Sequence, residues 1–193
     1  MRTNLYSKKT LQYRDVSQGD IIIAQPFQKN NYLQRSVILI IEKNNQVGNT
    51  GVILNKLSTI HMNEALYDTS LTNPVYFSGP NDLNLISFIH NNKNIAGSVP
   101  IASGLYWGGD FANLENKIEN GVMKQHDVRF LAGFMEWNVG ELESEITSGK
   151  WWVSDINAGD LLNTHPDRLW SKKLIGDGNL YGVLDSVEDP GLN

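Results

Sequence analysis

The chain has 193 residues, 40% hydrophobic and 19% charged, enough for one sizeable core and outside the disordered and fibrous classes. A net charge of −5 opposes a nucleic-acid backbone, and the absence of cysteine excludes disulfides and thiolate metal sites. The longest apolar run, Val37–Ile41, falls far short of the about 20 residues that a helix needs to cross a membrane.

In chain order, residues 1–18 read as a polar N-terminal arm, 19–184 as a single domain and 185–193 as a frayed acidic C-terminal tail. The basic start Met1–Lys9 has no apolar stretch behind it, so it is not read as a secretory signal. After the Gly19-Asp20 turn, Ile21–Ala24 reads as a β-branched strand and Arg35–Glu42 as a buried one. Asn44-Asn45 turns the chain back into a strand over Val47–Leu54. Met62, Ala65 and Leu66 have helical spacing, and Val75–Phe77 and Leu83–His90 are predicted strands around the turn Gly79–Asp82.

Ser103–Trp107 follows as a strand, and Asp110 caps a helix carrying Phe111, Leu114 and Ile118 that stops at Gly121. Val128–Phe134 is read as a strand and Gly140–Ser148 as a helix. Asn138 is its expected N-cap, with Glu141 reaching back to complete a capping box and Trp137 stapled on Leu142. Trp151-Trp152 lies in a short strand, and Pro166 starts a last helix through Leu169, Trp170 and Leu174 to Gly176. Strands dominate early and helices mix in later. That order predicts an α+β fold with a large twisted mixed, mainly antiparallel sheet partly wrapped by helices.

No stretch carries a reaction motif. Gly48–Lys56 has two glycines leading into a strand and no Gly-Lys-Ser/Thr, so it is a turn or bulge, not a phosphate loop. His61, His90, His126 and His165 show no ligand spacing, and Ser36, Ser78 and Ser103 lie outside any nucleophile motif. The tripeptide His165-Pro166-Asp167 also marks J-domain cochaperones, but the long basic hairpin that surrounds it there is absent and Pro166 reads as a helix starter.

Several segments together resemble the AlgH/YqgE family of bacterial proteins, whose biochemical function is uncharacterised. They are Gly19–Phe27, Arg35–Ile40, Gly48–Asn55, Ser78-Gly79-Pro80-Asn81, Phe88-Ile89-His90, Gly133–Glu145 with Gly149-Lys150-Trp151, and Leu169-Trp170. Together they cover roughly residues 19–178 in the family's order. Ser78, Asn81, Phe134 and Glu141 stand where the family usually has Gly, Val, Tyr and Gln. The resemblance implies the α+β fold already expected, and some members are labelled transcriptional regulators without an agreed mechanism.

The polar and glycine residues at element ends within these motifs nominate a candidate pocket of Arg35, Asn55, Gly79, Pro80, His90, Trp137 and Glu141. Its expected position is between the two glycine-punctuated segments, Gly48–Asn55 and Gly133–Glu145. The preferred expectation is a cytoplasmic, non-enzymatic regulatory domain that binds a small ligand or a protein, with no cofactor, metal or membrane partner. Direct contact with nucleic acid is disfavoured by the acidic charge. The alternatives are a hydrolase centred on His90 and a direct DNA-binding regulator.

Overall fold

Aliphatic residues fill consecutive positions of the first two strands, β1 (Ile21–Ala24) and β2 (Val37–Asn44), and Ile21–Ala24 and Val37–Ile40 have no solvent exposure. Strands apolar on both faces need cover on both sides, and the later helices supply it. The computed structural model describes residues 14–28, 30 and 32–176. Readings made for residues 1–13 and 177–193, including the whole expected tail, lie outside the described residues. From Arg14 on the chain is docked: Arg14 pairs with Asp20 at 2.7 Å, and Val16 is 2% exposed.

A hairpin leads from β2 to β3 (Gly48–Ile53), followed by β4 (Leu57–His61) and α1 (Met62–Ala65). Next come β5 (Pro74–Phe77), β6 (Asn81–His90), β7 (Val99–Ala102), β8 (Leu105–Trp107) and α2 (Phe111–Glu119). The last third holds β9 (Val128–Trp137), α3 (Glu141–Thr147), β10 (Trp151–Ser154), α4 (Ala158–Leu162) and α5 (Pro166–Gly176). The main sheet order is β10-β1-β2-β3-β9-β6-β8-β7. Its pairs are antiparallel, and β5 adds a parallel pairing to β9. The architecture is α+β, a curled, mainly antiparallel mixed sheet wrapped by five helices.

The long strand β9 is the spine. Along one edge it pairs first with β5 (Phe130 to Ala132) and then with β3 (Met135 to Trp137), while β6 runs along the other. The β5–β6 connection and the start of β3 therefore press against β9's backbone. A Cβ on Gly79 (φ 152°) would lie 2.1 Å from the Phe134 carbonyl, and one on Gly48 (φ 122°) 2.3 Å from that of Trp137. Only glycine fits at either place.

Three apolar clusters fill the layers. Ile21, Ile23, Leu39, Leu54, Tyr76 and Leu131 pack under α4 and α5. On the opposite face Ile22, Ile38, Ile40, Met135 and Trp151 pack under α3, and Phe88, Phe130 and Val128 under α1 and α2.

Three elements were not anticipated, β4, β7 and α4, and two local readings are corrected. Arg35 precedes β2 with a left-handed φ of 52° and does not open the strand. The N-cap of α3 is Gly140 at φ 78°, and no side chain caps it. Asn138 lies two residues before that cap, and its side chain donates from Nδ2 to Glu141 Oε2 at 2.9 Å. The reach-back half of the expected box is present, because Glu141 Oε2 accepts the Asn138 backbone N–H at 2.9 Å.

Candidate functional site

The seven residues nominated from sequence fall into four places. Asn55 and Arg35 meet at the start of β2. There the Asn55 Oδ1 accepts the Val37 N–H at 2.8 Å and its Nδ2 donates to the Arg35 carbonyl at 2.9 Å. The Arg35 guanidinium lies 5.6 Å over the Trp170 ring. Gly79 is buried in the turn against Phe134, and Pro80 beside it is exposed.

His90 ends β6 opposite Val128, at the start of β9, whereas Trp137 closes the same strand. Nine residues of strand separate those positions by about 30 Å. Trp137 is 5% exposed, and Glu141 beyond it is exposed. The two glycine-punctuated segments are themselves hydrogen-bonded neighbours, with Asn49 opposite Trp137 and Gly51 opposite Met135. At their end lies only a depression of about 320 Å³ along Glu42, Asn49 and Glu136.

His90 has no exposure, and both ring nitrogens are engaged: Nε2 lies 3.0 Å from the Gly108 carbonyl and Nδ1 accepts the Asn92 N–H at 3.2 Å. Its ring stacks on Tyr106. Burial lowers its pKa, with the Gly108 carbonyl acting in the opposite direction. It is a neutral structural histidine with backbone partners, and neither a carboxylate nor a hydroxyl faces its ring nitrogens among the described residues. Ser36 and Ser78 are likewise committed, donating to the carbonyls of Leu33 (2.7 Å) and Ile53 (2.9 Å). Among the described residues no three of His, Asp and Glu cluster as metal ligands, and no helix is long and apolar enough to cross a membrane.

A concavity of about 1,100 Å³ runs along the outside of α4 and α5 to Gly176. Both of its lysines pair with one acid, Asp160 taking Lys172 at 3.1 Å and Lys173 at 3.4 Å. A second cleft, of about 580 Å³, is chemically different. It opens between the start of β5, the loop before β9 and the link from α4 to α5. Asn73, Tyr76, Gln125, His126, Arg129 and Thr164 are among its lining residues, and none of the lining residues is an Asp or a Glu.

Arg129 lies on the floor of this cleft, 5% exposed and opposite Ile89 in the sheet. Its guanidinium donates to the Leu54 carbonyl at 2.6 Å and the Leu161 carbonyl at 2.9 Å, and sits 4.5 Å over the Tyr76 ring. These contacts tie the end of β3 to the last turn of α4, whose terminal carbonyls lack helical partners. They do not neutralise the charge. Burial lowers the pKa of Arg129, yet a guanidinium stays protonated at physiological pH. Sequence reasoning passed over Arg129. The available signal was a lone cation inside the apolar run Val128–Phe134.

Comparison with known proteins gives a consistent result. An AlgH-like family model matches residues 21–179. A UPF0301 protein from Chlorobium luteolum is 32% identical over 186 residues, covering 94% of this chain and 97% of its own. Another from Cytophaga hutchinsonii is 31% identical over 182 residues, covering 92% and 100%. Among solved structures, the AlgH protein from Pseudomonas aeruginosa superposes with a TM-score of 0.68 at 18% identity, over 96% of this chain and 97% of that one. A protein from Corynebacterium diphtheriae gives 0.65 at 22% identity, over 83% and 87%. At such identities the two structures speak to fold alone.

Proposed function

This chain belongs to the AlgH-like family, and from that premise we propose that it is a non-catalytic regulatory domain that works by binding a small ligand. The observation that supports this reading is the acid-free cleft of about 580 Å³ floored by a buried arginine. Its volume lies in the range of small-molecule sites, and its lining mixes apolar side chains such as Val128 and Leu162 with hydrogen-bonding ones. The regulator label carried by some relatives is then read as control through ligand occupancy or a protein partner. Direct DNA contact is not part of the proposal, since a net charge of −5 repels a polyanion.

The test is amide mapping by two-dimensional NMR of the full chain against pools of small metabolites. Saturable shifts are expected at amides of residues 73–76, 125–129 and 162–165. Pools that leave the map unchanged, or that act only on distant amides, would remove the ligand-binding reading.

A further inference from the structure

Two incompletely satisfied polar side chains of opposite kind are among the residues that line this cleft. The first is the Arg129 guanidinium, whose five N–H donors exceed the two backbone carbonyls it meets, and which has no acidic partner among the described residues. The second is Asn73, 3% exposed. Its Nδ2 donates to the Gln125 carbonyl at 2.7 Å, which fixes the amide orientation because a carbonyl can only accept. That leaves Asn73 Oδ1 as a buried acceptor with no partner. A buried charge with only neutral partners and a buried acceptor with none are both costly in a folded protein. The start of α5 also borders the cleft and turns the positive end of an 11-residue helix toward it.

We propose that this cleft binds a small metabolite that presents a carboxylate or phosphate to Arg129 and an O–H or N–H donor to Asn73. The planar guanidinium fork suits an oxyanion, and an unused amide oxygen selects a ligand that carries a donor as well. A simple hydroxy acid is the minimal example. The proposal rests on the ligand-binding reading of this cleft and adds the chemistry of its occupant.

The experiment is an NMR titration of the full chain with sodium acetate, sodium glycolate and inorganic phosphate, each against sodium chloride at equal ionic strength. It follows the Arg129 Nε–H resonance and the amides of residues 125–129. All three oxyanions should move these signals saturably, where chloride does not. Glycolate, with its added hydroxyl, should bind about fivefold more tightly than acetate, the worth of one hydrogen bond. Asn73→Leu should erase that preference, and Arg129→Gln should abolish the response. If either variant fails to fold, the wild-type Nε–H shift and the glycolate-to-acetate ratio decide the matter without it.

Three outcomes overturn the proposal: no saturable movement with any of the salts, movement that survives in a folded Arg129→Gln, or equal affinity for glycolate and acetate. Cleft amides that respond to neutral metabolites but not to these salts would refute the oxyanion assignment alone and leave the ligand-binding reading intact.

Discussion

His90 sits where β6 passes between β8 and β9, and its neutral form is built into the fold. Protonating Nδ1 would give up the Asn92 N–H bond and put a charge among Phe88 and Tyr106. The unfolded chain takes up that proton near pH 6.5, and the folded chain only at a lower pH because burial depresses the pKa. Between those values the unfolded state binds more protons, so stability falls as pH drops below about 6.5 and is constant above it for this group. One such histidine contributes at most about 1.4 kcal/mol per pH unit. Urea unfolding of wild type at pH 7.5 and pH 5.5 should therefore differ by more than that of His90→Gln. Parallel losses in the two proteins would show that His90 is not held neutral. A single sequence identified His90 by its place at a strand end, but the burial that makes it structural comes from three strands converging. The same limit hid Arg129, whose cleft also draws on residues 73–76, far before it in the chain, and 162–166, far after it.

The helix α3 and its flanking strands show how much an element's own residues can reveal. Of its acids, Glu141 makes the expected reach-back to the Asn138 N–H, and the other two bond beyond the helix. Glu143 pairs with Lys43 across the sheet. Glu145 is the anchor, accepting the indole N–H of Trp137 at 2.9 Å and of Trp151 at 2.8 Å, and pairing with Lys150 at 2.7 Å. Burial works to raise the Glu145 pKa, and Lys150 with the two indoles outweighs it, leaving the carboxyl below its ordinary value. Its stabilisation is thus present above about pH 4.3 and lost as pH falls through the lower folded value.

Glu145→Ala should cost about 3 kcal/mol by orphaning two buried indoles, whereas Glu141→Ala at the exposed helix start should cost under about 1 kcal/mol. Urea unfolding followed by tryptophan fluorescence measures both, and equal costs would contradict the anchoring role. β2 was legible because burial on both faces leaves a continuous aliphatic run, and the first seven residues of β9 because apolar residues dominate them. β4 escaped notice because four of its five residues are exposed, and β7 because Pro100 interrupts it, tolerable only at the sheet edge it occupies. With only five residues, α4 offers no period to read.

At the scale of the molecule, pairing order is what residue patterns cannot reveal. The sequence supports a mixed sheet, but nothing in β3 or β5 announces that they share one edge of β9 in tandem, or that β5 runs parallel to it. That sharing is a long-range arrangement, made possible where Gly48 and Gly79 let backbones meet. It also makes β9 the strand with the most to lose on opening, because unzipping it exposes all three clusters: Leu131 in one, Met135 and Trp137 in the second, Val128 and Phe130 in the third. By contrast, among the described residues β4 is paired only with β5, and β7 only with β8. Local opening free energies scale with the apolar surface and hydrogen bonds released. Native-state hydrogen exchange should therefore find the paired amides of Phe130–Trp137 at least about a hundredfold slower than those of Leu57–His61 and Val99–Ala102. Edge strands that exchange as slowly as β9 would mean that the sheet opens as one unit, and that β9 does not bind the three clusters into a separate, more stable centre.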